Sequence, residues 1–179
     1  MSQYNIIAES AEYTVVSEYE HAVSTSEAYQ SEAELEKEFI RLLIEQGYEY
    51  LPIHTEADLV SNLRTCLEKL NGYHFTDNEW EHFFNECIAN KNDDIVAKTA
   101  RIQEDYIQVL KRDNGESRNI YLIDKKNIHN NFVQVINQYV EEGGNYDTRY
   151  DVTILVNGLP LVHIELKRRG VQLKRRSTR

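Results

Sequence analysis

From Ser31 onward the apolar residues recur at three- and four-residue spacing, and from Asp105 they shift to alternate positions. Leu35, Phe39, Leu42 and Leu43 form one apolar stripe, with Gly47 placed to end the helix. A second helix is predicted from Thr55, whose side chain can cap while Asp58 reaches back, through Leu59, Leu63, Leu67 and Leu70. A third opens on the box Thr76-Asp-Asn-Glu79 and buries Trp80, Phe83, Phe84 and Ile88. That aromatic stripe reads as helix core rather than a platform for stacking bases. A short fourth helix is expected over Asp93–Arg101.

The alternating half of the chain predicts strands. Asp105–Arg112 and Ser117–Asp124 flank the turn sequence Asp113-Asn-Gly115-Glu. Asn131–Val140 alternates apolar and polar residues, and Arg149–Val156 and Leu161–Lys167 flank Asn157-Gly-Leu-Pro160. Helices first and a meander of strands afterwards indicate an α/β or α+β domain with helices packed on a sheet. Residues 1–30 are acidic, rich in Ser, Tyr and Glu, and weakly periodic. They read as an N-terminal arm, with a short β piece around Tyr13–Val16 as the alternative.

Composition narrows the class. A chain of 179 residues suits one domain. No run approaches the roughly 18 apolar residues of a membrane span. MSQYNIIAES lacks a basic stretch followed by an apolar core, so no secretory leader and a cytoplasmic location are expected. Cys66 and Cys87 then read as a buried reduced pair. The net charge of −10 argues by itself against nucleic acid. Its distribution changes that. Lys167, Arg168, Arg169, Lys174, Arg175, Arg176 and Arg179 crowd the last stretch with no acid among them, leaving 13 basic and 30 acidic side chains before it. Either a basic lip on an acidic body or a solubilising tail fits that asymmetry.

The segment from Tyr150 to Arg168 carries the chemistry. A two-residue Asn157-Gly158 loop would set every apolar residue of one strand against a polar one of the other. A three-residue loop, Asn157–Leu159, pairs Val156 with Pro160 and puts Val152, Ile154 and Val156 on one face with Ile164 and Val162. The other face then collects Asp151, Thr153, Leu155, Leu161, His163, Glu165 and Lys167, with Asp151 opposite Glu165. Opposed carboxylates are unfavourable in an ordinary sheet, and a hard divalent cation makes the arrangement favourable. Mg²⁺ held by Asp151 and Glu165, with the Leu166 carbonyl as a further donor, would activate water against a phosphate. Lys167 would position or help deprotonate that water, and its charge would stabilise the transition state. His163 reads as a packing or hydrogen-bonding residue, and His54, His74 and His82 lack ligand spacing.

Asp, a hairpin's length, then Glu-x-Lys resembles the signature of PD-(D/E)xK nucleases. Asn157-Gly-Leu-Pro160 leading into Ile164-Glu-Leu-Lys167 is similar to the N-terminal nuclease domain of type I restriction endonuclease R subunits (HsdR). The Asn131–Gln138 strand and the helix from Ser31-Glu-Ala-Glu-Leu-Glu36 to Gly47-Tyr48 share the likeness, which covers residues 31–169. It implies a central mixed sheet flanked by helices, Asp151 and Glu165 as metal ligands and Lys167 as the catalytic lysine. An acid on the first helix is also implied, and helical spacing does not separate Glu32, Glu36 and Glu38. The implied substrate is double-stranded DNA, the cofactor Mg²⁺, and the partners methyltransferase and specificity subunits. ATP is implied only for a helicase motor, and no G-x-x-x-x-G-K-[ST] loop occurs in this chain. The family's Gln-x-x-x-Tyr element is altered, since Gln172 is followed four residues later by Arg176. Residues 170–179 therefore read as a truncated basic tail. That leaves a second function open, a catalytically incomplete fragment that docks motor or methyltransferase partners.

Overall fold

The computed structural model describes residues 4–9, 14–18, 31–141 and 148–167. The tail that includes Gln172 and Arg176 lies outside the described residues, as does most of the acidic arm. Within that arm, β1 (Tyr4–Glu9) and β2 (Thr14–Glu18) pair antiparallel, a longer ladder than the short β pieces allowed for around Tyr13–Val16.

Helix α1 (Glu32–Glu45) starts at a capping box: the Ser31 hydroxyl accepts the Glu34 N–H, and the Glu34 carboxylate accepts the Ser31 N–H. Gly47, at φ +94°, turns the chain into the short β3 (Glu49–Tyr50). Helix α2 (Glu56–Asn71) is capped by Thr55 and ends in a left-handed Gly72. Helix α3 (Asp77–Phe83) opens on the Thr76/Glu79 box and passes into a π-helical turn over Phe84–Ile88. Helix α4 (Ile95–Gln103) follows. The hairpin of β4 (Ile107–Lys111) and β5 (Ser117–Tyr121) forms a ladder of its own.

The central sheet has the order β3-β6-β7-β8, with β6 (Val133–Glu141), β7 (Thr148–Val156) and β8 (Leu159–Ile164). β3 runs parallel to β6 and the other pairs are antiparallel, so the sheet is mixed, as the resemblance implied. Both faces are covered. Leu43, Phe39 and Ile40 of α1 pack on Val135, Val152, Ile154 and Ile164. Leu59 of α2 packs with Ile136, Tyr139 and Leu155 on the other side. A third cluster joins Leu63 and Leu67 of α2 to Phe75, Trp80, Phe83 and the β4–β5 hairpin, so the aromatic stripe is core. Cys66 and Cys87 are both free thiols. Among the described residues no helix is long and apolar enough to cross a membrane.

The β7–β8 register corrects the sequence reading. The loop is the two-residue Asn157-Gly158, at φ +53° and +81°, and Val156 pairs with Leu159 rather than Pro160. Leu155 pairs with Pro160, and a bulge then lets Leu161 pass unpaired, so Ile154 meets Val162 and Val152 meets Ile164. The extra residue expected in the loop sits in the strand instead. Beyond the bulge the two registers coincide, which is why Val152, Ile154 and Ile164 share the α1 face. β8 ends at Ile164, so residues 165–167 are not strand and no ladder pair joins Asp151 to Glu165.

Candidate active site

The sheet delivers the three candidate residues by a different route from the one expected. Asp151 lies on β7 one residue past the last β7–β8 pair, Val152–Ile164. Its Oδ2 accepts the backbone N–H of Leu166 at 2.7 Å. Leu166 stands between Glu165 and Lys167, so this one bond fixes the Glu-Leu-Lys backbone after it leaves the strand. The Leu166 side chain packs into the α1-side core and anchors the same segment from below. Lys167 Nζ lies 2.8 Å from Glu165 Oε1. The Glu165 carboxylate holds the Lys167 ammonium above its ordinary pKa, with the charges of Glu32 and Asp151 adding to it.

Helix α1 flanks the site, and the structure separates its three candidate acids, Glu32, Glu36 and Glu38. Glu38 pairs with Arg41, at 2.6 Å from Oε1 and 2.9 Å from Oε2, and that guanidinium holds it below the usual carboxylate range. Glu32 is exposed and acts on Lys167 through charge. Glu36 is half-buried and reaches the sheet: Asn137 Nδ2 donates to its Oε1 at 2.6 Å, and Gln138 Nε2 donates to its Oε2. Asn137 in turn accepts the Tyr50 hydroxyl at 2.9 Å.

The remaining residues of the face assigned to chemistry behave differently. Thr153 and Leu155 are buried at 1% and 0% exposure. The His163 ring stacks on Tyr150 with centroids 3.9 Å apart, and its Nδ1 lies 3.0 Å from Thr153 Oγ1, the packing role expected of it. His74 is an exposed partner of Glu68. Among the described residues, no three His, Cys, Asp or Glu side chains converge as a ready ligand cage. The candidate donors are the Asp151 and Glu165 carboxylates and the carbonyl of Leu166, a hard-oxygen set of the kind that suits Mg²⁺ completed by water.

Residues 29–179 match the family described as "Type I restriction enzyme R protein N terminus". The chain belongs to this family. Its fold is of the PD-(D/E)xK nuclease type. The chain is 45% identical over 169 residues to the type I restriction enzyme EcoprrI endonuclease subunit of Escherichia coli, covering 94% of this chain and 54% of that protein. It is 41% identical over 150 residues to the SsaAORF53P endonuclease subunit of Staphylococcus saprophyticus, covering 81% of this chain and 16% of the relative. A similar match, 41% over 153 residues, links it to the SauCOLORF180P endonuclease subunit of Staphylococcus aureus, with 82% and 16% covered. The chain thus spans about half the length of the first relative and a far smaller share of the others.

Sequence reasoning missed Gln138, Asn137 and Tyr50. Periodicity marked the strand that carries Gln138, but it carries no signal for the positive φ of +54° found there.

Proposed function

We propose that this chain is the nuclease domain of a type I restriction endonuclease subunit and hydrolyses phosphodiester bonds in double-stranded DNA with Mg²⁺. The observation that carries this reading is the clamp in which Asp151 holds the Leu166 N–H while Glu165 and Lys167 form an ion pair. Asp151 and Glu165 would hold the cation, with the Leu166 carbonyl beside them. Mg²⁺, when bound, lowers the pKa of a coordinated water and offsets charge on the phosphate. Lys167 is the catalytic lysine. Its ammonium, beside the Glu165 carboxylate, would orient the attacking water and stabilise the developing charge.

The partners in this reading are DNA and the methyltransferase and specificity subunits of a restriction–modification complex, in the cytoplasm. ATP would act in a motor, whose phosphate-loop motif this sequence does not contain. Nicking of supercoiled plasmid tests the reading. It should require Mg²⁺, stop with chelator, and fall about 100-fold or more in Lys167→Ala. Nicking that survives chelation would overturn the proposal.

A second reading, a docking unit without its own activity, is favoured by Ile95 and Val96 of α4, which stand 77% and 69% exposed. It expects no Mg²⁺-dependent nicking by this chain, together with binding to motor or methyltransferase subunits that is lost in Ile95→Glu.

A further inference from the structure

Two non-glycine residues among the described ones adopt positive φ, Asn157 and Gln138. Asn157 sits in a two-residue hairpin loop, where that conformation is ordinary. Gln138 lies inside β6, at φ +54°, where a long side chain meets a steric cost and no turn requires it. The ladder pairs Asn137 with Val152 and Tyr139 with Tyr150, so Gln138 occupies the position across from Asp151.

The break changes where the side chains of β6 go. Val135 packs on the α1 side and Ile136 on the α2 side. Regular alternation would send Asn137 to α1, Gln138 to α2 and Tyr139 to α1. Instead Tyr139 is buried with Ile136 on the α2 side, and the Gln138 amide meets Glu36 of α1. The pairs on either side keep one register, so the left-handed turn of the Gln138 backbone re-aims the side chain without inserting a residue. Asn137 Nδ2 takes the other oxygen of the same carboxylate, and its own Oδ1 is held by the Tyr50 hydroxyl. Two neutral amides thus orient Glu36 without cancelling its charge.

We infer that Gln138 is a positioning residue, turned out of the strand pattern to hold the Glu36 carboxylate at the strand position across from Asp151, with Asn137 and Tyr50 bracing the same contact. This rests on the metal-dependent reading above. A fixed Glu36 stands outside the ligand pair of Asp151 and Glu165 and would accept hydrogen bonds from water around a divalent cation. Groups that orient metal-site residues in this manner typically change affinity by about 10-fold or more.

Calorimetric titration of the chain with Mn²⁺ tests the assignment. Gln138→Gly keeps a backbone suited to positive φ and deletes the amide, while Gln138→Met keeps the length and deletes only the donor. Both should bind Mn²⁺ about 10-fold more weakly, and Gln138→Gly should keep or raise the thermal midpoint. Combined with Glu36→Gln, either should bind no more weakly than Glu36→Gln alone, since they act through one carboxylate. Wild-type affinity in both Gln138 variants, or losses that add to that of Glu36→Gln, would overturn the assignment while leaving the metal centre standing. An Asp151→Ala protein that binds Mn²⁺ as tightly as wild type would remove the metal centre, and the assignment with it.

Discussion

Asn157 holds the β7–β8 hairpin in place, and does so through its side chain. It is fully buried. Its Nδ2 donates to the Leu122 carbonyl at 2.9 Å and to Asn131 Oδ1 at 2.8 Å, and its Oδ1 accepts the Phe132 N–H at 2.8 Å. Asn157→Ala orphans these groups, and urea denaturation should show a loss of about 3 kcal/mol. Gly158 is constrained by space as well as by φ. A Cβ there would stand 2.5 Å from Leu63 Cα, so Gly158→Ala must push the hairpin off α2. A loss of about 2–4 kcal/mol is expected in the same measurement. These two residues were legible in the sequence as a turn signal, but their second task, seating the turn against α2 and residues 122–132, was not. Gln138 was less legible still, because nothing in Asn-Gln-Tyr marks a left-handed residue.

Among the elements, the helices were read most completely, because their ends are written in local chemistry. The caps at Thr55 and Thr76 and the α1 stripe correspond to observed helices. Ser31→Ala should remove the side-chain half of the α1 box, leaving the residue-31 N–H on Glu34, and cost about 1 kcal/mol, seen as a lower thermal midpoint. The hairpin was read with the right pairing from Ile154–Val162 to Val152–Ile164, but with the wrong loop and with an Asp151–Glu165 pair that the ladder lacks. A bulge adds one residue to one strand, so pattern alone cannot tell it from a longer loop. The end of β8 at Ile164 was also hidden, since Glu165-Leu166-Lys167 continues the alternation after the ladder stops. Glu79, at the start of α3, gives the element a pH signature. Burial pushes its pKa up, but hydrogen bonds from the Tyr73 hydroxyl and the Thr76 and Asp113 N–H groups outweigh that and hold it below 4.5. A depressed carboxylate stabilises the fold above its unfolded pKa, and the contribution is lost as pH falls through the folded value. Thermal midpoints should therefore drop below about pH 4.5, and Glu79→Gln should flatten that part of the curve.

At the scale of the whole molecule, a mixed sheet covered by α1 on one face and α2 on the other brings the end of β8 beside Asp151 and the start of α1 over both. The residue types of the candidate site were named from the sequence because Asp, Glu and Lys at these spacings have a shared chemical use. The way they meet could not, because it depends on one backbone hydrogen bond, Asp151 to Leu166, and on a strand that stops early. In the sequence, basic residues gather from Lys167 onward on an otherwise acidic chain. On the proposed reading this site cuts DNA. A time course of supercoiled plasmid with Mg²⁺, run side by side with wild type and Glu165→Ala, tests it most directly. The expected result is conversion to open circles by the wild type and a rate about 100-fold or more lower in the variant. Equal nicking by the two proteins would contradict it.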